Sequence, residues 1–230
     1  MPRLVIWSFA LILFMGACGT EDPEVQIPPG SDTNVTADDP ERAEEAADEP
    51  AAEEEIATVG PYDYFMPDGS TATFLGEGNE YASFTLRTVY LEGEHIAVYE
   101  DNGGTVMLKV YRLSKEKIDL VLEQGEFYED YSATAEELEA LGPIRTYLTF
   151  PLEIGTVIGE RTVIETDAIV ETPFENFEQV TVLESGGEEG SIVKTYFAEG
   201  YGEVKREFRM QEEEQEEFVV TSVLEKIETE

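Results

Sequence analysis

The chain has 230 residues, and 52 Asp and Glu against 14 Lys and Arg give it a formal net charge of −38. This excess argues against a nucleic-acid partner, whose phosphates require Lys and Arg, and against electrostatic adhesion to anionic lipid headgroups. Surface charge of this size keeps a protein soluble and fits an organism from a salty or alkaline habitat.

The N-terminal segment, residues 1–17, has the layout of a secretory signal peptide. Arg3 supplies a positive charge, residues 4–14 are apolar apart from Ser8, and small residues precede Cys18, the single cysteine. The Gly-Ala-Cys sequence resembles the lipobox of bacterial lipoproteins. The resemblance implies that Cys18 carries a diacylglycerol thioether, with acyl chains such as palmitate, and becomes the first residue of the mature protein.

Two alternatives for this segment are a transmembrane helix and an ordinary cleaved signal. The apolar run is shorter than the roughly 20 residues that span a bilayer, and an ordinary secreted protein has no need of a cysteine at this position. Two acyl chains anchor a protein stably where one does not. We therefore expect a lipid-anchored protein on the extracytoplasmic face of the cell membrane of a Gram-positive bacterium.

Residues 18–60 form a predicted acidic tether. Residues 21–60 contain 14 Asp or Glu, one Arg, several prolines and no aromatic residue. Such a composition cannot bury enough apolar surface to offset chain entropy, and self-repulsion extends it. A solvated, disordered stalk is favoured over an acidic tail that binds calcium or a partner.

Residues 61–230 are expected to form one mainly β domain with a net charge of −26. A capping box from Thr134 to Glu137, with Leu138 and Leu141 on one face and a stop at Gly142, predicts one short helix. The expected fold is a curved antiparallel sheet or half barrel of about ten strands. Period-two alternation predicts strands at 81–91, 95–99, 105–113, 117–122, 145–150, 161–171, 178–183, 192–197, 203–210 and 218–227.

The end of the domain carries a Tyr-x-Ala-x-Gly-x-Gly-x-Val-Lys motif at residues 196–205. Together with the phrases at 78–82, 123–128, 151–156 and 171–174, it resembles an uncharacterised family of Bacillus-type extracytoplasmic lipoproteins. The motif also resembles the LolA-like half-barrel envelope proteins, in which a curved sheet surrounds a helix. Val157 departs from the aromatic residue of the family pattern. The glycines Gly200 and Gly202 predict a turn or bulge, and Lys205 and Arg206 are expected to pair with nearby carboxylates.

The residues for catalysis or metal binding are sparse. His95 is the only histidine and no Gly-x-Ser-x-Gly sequence occurs, which argues against a nucleophile triad and the usual zinc sites; we expect His95 at the surface or on an edge strand. Two carboxylate pairs, each expected in a loop, are weak calcium candidates, although the usual calcium-loop spacing is absent. They are Glu100 with Asp101, and Glu129 with Asp130.

Two functional hypotheses follow, and neither requires a cofactor. The first is a non-catalytic β domain that binds a ligand or an envelope component, such as an apolar small molecule or an envelope protein. The alternative is a surface hydrolase that uses carboxylates. An apolar cavity of several hundred Å³ favours lipid carriage, a filled interior favours a structural or protein-binding role, and converging carboxylates with raised pKa values favour the enzyme.

Overall fold

The computed structural model describes residues 60–187, 190–211 and 217–229. The signal peptide, Cys18 and the acidic tether predicted above lie outside the described residues. Within the described part of the chain, no helix has the length and hydrophobicity needed to cross a bilayer.

The domain is mainly β, as predicted, and its described residues contain twelve strands, one short α-helix and a 3-10 turn at Pro61–Tyr64. The helix, α1, is Ala135–Glu139. The strands are β1 Ser70–Glu77, β2 Phe84–Tyr90, β3 His95–Asp101, β4 Val106–Leu113, β5 Lys117–Gln124, β6 Arg145–Thr149, β7 Val157–Ile158, β8 Arg161–Glu171, β9 Asn176–Gly186, β10 Ile192–Ala198, β11 Gly202–Met210 and β12 Phe218–Thr229. The prediction of about ten strands missed β1 and the two-residue β7.

All twelve strands belong to one antiparallel sheet that is curled into a nearly closed, barrel-like form. The strand order is β6-β5-β4-β3-β2-β1-β12-β11-β10-β9-β8-β7. Strands that are consecutive in the chain therefore pair, except β6 and β7, and β1 pairs with β12. Strands β6 and β7 form the two edges, which lie in contact without a hydrogen-bonded ladder. Arg161 of β8 reaches across this seam and donates a hydrogen bond to the Tyr147 carbonyl oxygen of β6.

The turns follow the chemistry of their residues. Asn102, after β3, accepts hydrogen bonds through Oδ1 from the backbone N–H groups of Gly104 and Thr105. Gly103 has a φ of 78°, which is a left-handed conformation that glycine adopts without strain. Residues 102–105 therefore form a tight hairpin turn between β3 and β4, and its side-chain hydrogen bonds hold the register of the two strands.

Strand β3 is buried on both faces. Ile96 and Val98 pack in the core that also contains Phe65 and Phe197, whereas the alternate residues belong to a separate apolar cluster on the other face. That second cluster is covered by residues 125–142, which cross the outside of the sheet. Leu138 of α1 is fully buried in it, so packing holds a helix that is too short to be stable alone.

Candidate functional site

A cavity of about 110 Å³ lies where β2, β3, β4, β6 and β11 face the segment after the 3-10 turn. Phe65, Met66, Leu86 and Val98 provide its apolar lining. The rest of the lining is polar, in contrast to the apolar cavity of several hundred Å³ that lipid carriage requires. Its charged members are Glu100, Lys109, Arg145, Glu203 and Arg206, and its tyrosines include Tyr64, Tyr111 and Tyr147.

The charged residues form an ion-pair network that connects distant strands. Arg206 of β11 places Nε 2.9 Å from Oε1 of Glu203, and both of its terminal nitrogens lie 3.3 Å from the Glu100 carboxylate of β3. Lys109 of β4 lies 2.9 Å from the same carboxylate. Close by, Arg145 donates two hydrogen bonds to Glu123 at 2.8 and 2.9 Å. The expected pairing of Arg206 with carboxylates is confirmed.

The ion-pair network shifts the pKa values of Glu100 and Arg206, so both groups stay charged. Burial would raise the pKa of Glu100, but Arg206 and Lys109 outweigh it and lower that pKa to about 2. Glu203 raises the pKa of Arg206, burial opposes this effect, and Glu100 adds to it. Three of the twelve Lys and Arg in residues 61–230 are thus held at one cavity in a strongly acidic domain.

Three tyrosine hydroxyls at the cavity have no hydrogen-bond partner among the described residues: Tyr64, Tyr111 and Tyr147. Ring packing fixes two of these side chains, since Tyr111 and Tyr147 have centroids 4.8 Å apart. Burial is the largest cause that raises the pKa of each, so both hydroxyls remain protonated near neutral pH. A protonated hydroxyl can donate one hydrogen bond and accept others, so the cavity offers these groups to a bound molecule.

The structure separates the predicted calcium ligands. Glu100 and Asp101 lie in β3 rather than in a loop, and consecutive strand residues point to opposite faces. Glu100 binds Arg206 and Lys109, whereas Asp101 accepts a hydrogen bond from the Gly103 N–H at 2.8 Å. Glu100 and Asp101 are therefore not in a loop as expected, and their carboxylates lie on opposite faces of β3 and do not converge on one point.

Glu129 and Asp130, the second pair of weak calcium candidates, also form no cluster of carboxylates. Asp130 forms an ion pair with Arg87 at 2.9 Å. A calcium site would require further carboxylates at that position instead of a cation. Glu129 lies exposed beside a groove. Among the residues that the structure describes, no group of three or more His, Cys, Asp or Glu side chains could hold a metal ion.

His95 is buried, so its predicted position at the surface or on an edge strand is wrong. It begins β3, an interior strand of the sheet, and only 1% of its surface is exposed. Neither ring nitrogen makes a hydrogen bond of ordinary geometry to a described residue, although a looser hydrogen bond with the Glu92 backbone raises the pKa of the ring. Burial lowers the pKa of His95 against the opposing effect of Glu139, while Arg112 adds to the lowering.

No general acid of the kind a carboxylate-dependent hydrolase needs is visible in the described ranges. Such an acid has a raised pKa, because it must remain protonated near neutral pH. The four described carboxyl groups whose pKa departs clearly from its ordinary value all depart downward. They are Glu100, Glu123, Glu137 and Glu207.

The sequence pointed to Arg206 but did not single out Arg145, Tyr111 or Tyr147. Lys and Arg are scarce in this acidic domain, and a buried or half-buried cation must pair with carboxylates. This scarcity was the sequence signal that could have indicated the ion-pair network. Comparison of the chain with protein-family models, with curated proteins and with solved structures finds no match.

Proposed function

We propose that this protein is a lipid-anchored extracytoplasmic lipoprotein of a bacterial cell membrane whose β domain binds a small polar molecule without chemical conversion. The observation that supports binding is the cavity itself, where tyrosine hydroxyls that bond to no described residue open onto the space beside a paired-charge network. A hydroxyl that opens onto a partly enclosed cavity can hydrogen-bond to a ligand in place of water. Hydroxyls held toward one cavity by ring packing therefore favour a bound polar partner.

The cavity limits the size of its ligand. A dry apolar cavity of about 150 Å³ holds benzene, whereas drug-sized ligands occupy about 300–1,000 Å³. At about 110 Å³, the space suits a molecule of roughly six non-hydrogen atoms or fewer. An acyl chain exceeds this volume, so the proposal concerns a small metabolite rather than a lipid.

The paired charges limit the chemistry of the ligand. Arg206 and Lys109 are already neutralised by Glu100 and Glu203, and Arg145 by Glu123. A ligand with net charge would leave an uncompensated charge in a partly buried site, which is costly. The site therefore favours a molecule without net charge, a small polyol or an amino-acid-sized zwitterion, that hydrogen bonds to hydroxyls, carboxylates and guanidinium groups.

Native mass spectrometry of the protein purified from its own host tests this proposal. The expected result is a bound small molecule that is released on denaturation. The double variant Tyr111→Phe/Tyr147→Phe removes two hydroxyls and keeps the rings; at about 1 kcal/mol per hydrogen bond it should lower the affinity by roughly 10–100-fold. Tyr131→Phe, a tyrosine outside the cavity, is the matched control. An empty wild-type protein, or equal occupancy in the double variant, would overturn the proposal.

The anchor is tested by fatty-acid labelling in the bacterial host. Cys18 is the only thiol of the chain, so the substitution Cys18→Ser should abolish incorporation of labelled palmitate. Ser8→Ala, a change within the same apolar segment, should retain the label. Labelling that persists in Cys18→Ser would refute lipidation at this residue and leave the cavity proposal unaffected.

A further inference from the structure

We propose that a groove on the outside of the sheet binds a neutral oligosaccharide, a function separate from ligand binding in the cavity. The groove has a volume of about 260 Å³ and lies between β1–β3 and the segment 125–131. We call it the outer groove; its lining includes Thr71, Thr85, Arg87, Asp101 and Tyr128. None of these residues lines the cavity described above.

One wall of the outer groove is fixed to the sheet from both ends. The backbone N–H of Phe127 donates to the Val106 carbonyl oxygen at 3.0 Å. The N–H of Tyr131 donates to the hydroxyl of Tyr99 at 2.7 Å, and that hydroxyl is buried under the segment. Between these two attachments Tyr128 is 68% exposed. A large aromatic ring is thus held in solvent by a preformed wall, which reduces the entropy lost when a ligand binds.

The floor of the groove presents fixed polar groups. The Arg87 guanidinium lies 3.9 Å from the centroid of the Tyr99 ring and pairs with Asp130 at 2.9 Å. A guanidinium has five N–H donors, so this one retains donors for a ligand after both contacts are made. The hydroxyls of Thr71 and Thr85 make no hydrogen bond to any described residue.

The groove continues into a second depression of about 410 Å³ that shares Thr85 and Asp101 with it. Asn102 and Gly103 of the β3–β4 turn line this extension. Beside it lies Tyr81, 59% exposed, with its ring next to Gly104 of the same turn. The surface is therefore elongated, with an exposed tyrosine associated with each part, and fits a chain of linked units better than a single small molecule.

Oligosaccharides match this combination of groups. The apolar C–H faces of sugar rings stack on exposed aromatic rings, and sugar hydroxyls both donate and accept hydrogen bonds with threonine, carboxylate and guanidinium groups. The carboxylates of Glu80, Asp101 and Glu129 along the surface, in a domain of net charge −26, repel anionic polymers. The geometry and charge thus point to a neutral glycan.

Saturation-transfer NMR on the purified full-length protein tests the proposal with two probes, chitotriose and maltotriose. We expect saturable binding of at least one trisaccharide, with transfer from aromatic protons to the ring C–H groups. Tyr128→Ala, an exposed position where folding is not at risk, should weaken binding at least about tenfold, because stacking on one aromatic ring contributes a factor of that order. Tyr62→Ala, an aromatic residue outside the groove, should bind as the wild type does.

Two results would overturn the proposal: no saturable transfer with either trisaccharide up to about 10 mM, the weak end of specific binding, or equal binding in Tyr128→Ala. The cavity is too small for a trisaccharide, so the variant Tyr147→Phe should keep trisaccharide binding. Trisaccharide binding that is lost in Tyr147→Phe and kept in Tyr128→Ala would place the ligand elsewhere and refute the outer groove as its site.

Discussion

Replacing Glu100 by Gln should produce a stability loss that disappears at low pH. Glu100 joins Arg206 of β11 to Lys109 of β4, and its side chain is 19% exposed. Its pKa falls from an ordinary 4.5 to about 2 in the folded protein. At ~1.4 kcal/mol per pKa unit, the ionised carboxylate stabilises the fold by about 3 kcal/mol at neutral pH.

The sign of the pH dependence follows from proton binding. Between pH 4.5 and 2 the unfolded chain holds the proton more tightly than the folded protein, so stability falls as the pH is lowered through this window. Glu100→Gln lacks this titration. The difference in unfolding free energy between wild type and variant should therefore be about 3 kcal/mol at pH 7 and approach zero near pH 2.

Urea denaturation of both proteins at pH 7, 5, 4, 3 and 2 (the window set by the two pKa values) measures this difference. At pH 7 the variant should also melt about 6–12 °C lower. Glu178→Gln, an exposed position of β9, is the control and should change stability by less than about 0.5 kcal/mol. A difference that stays constant with pH, or that is below about 1 kcal/mol at pH 7, would refute the inferred role of the network.

Three further predictions concern other strained or buried positions. Gly202→Ala should lower the unfolding free energy by several kcal/mol, because a Cβ there would lie 2.4 Å from the Tyr64 carbonyl oxygen. Gly200→Ala, also at positive φ but in open space, should lower it by only about 1–2 kcal/mol. Urea denaturation measures both changes. Lowering the pH below about 6.5 should destabilise the wild type through His95, because burial lowers the pKa of its neutral ring in the folded protein. In His95→Leu this part of the pH dependence should vanish from thermal melts. Glu126→Gly should raise the melting temperature, since Glu126 has a φ of 56°, with a gain of up to about 1 kcal/mol; an unchanged or lower value would contradict strain there.

The sequence correctly predicted those elements that depend on a few neighbouring residues. The capping box at Thr134 is present, with Glu137 N–H donating to the threonine hydroxyl, and Leu138 is buried as its spacing indicated. Strand β8 has the predicted bounds, residues 161–171. Alternation of apolar residues and turn signals are properties of a few neighbouring residues, so the sequence displays them directly.

Features that depend on strand order could not be predicted. Arg206 meets Glu100 only because β11 and β3 face each other across the curled sheet, although 106 residues separate them in the chain. The burial of His95 depends on residues 125–142, which cross the outer face of the sheet. No local sequence pattern predicts this crossing. Strand β7 has only two residues, too few for any periodicity to be recognised.

The pairing of β1 with β12 affects the rate at which the domain folds. Ser70 lies opposite Thr229, so the ladder that joins the two halves of the sheet pairs strands from opposite ends of the domain. Contacts between such distant residues slow folding, because a long loop must close first. A circular permutant with its termini between β6 and β7, and a linker from residue 229 to residue 60 that keeps the buried Phe65 and Met66, would break no ladder. It would convert the domain into a simple up-and-down meander. Its refolding should be faster than that of the natural chain, while its equilibrium fold stays the same.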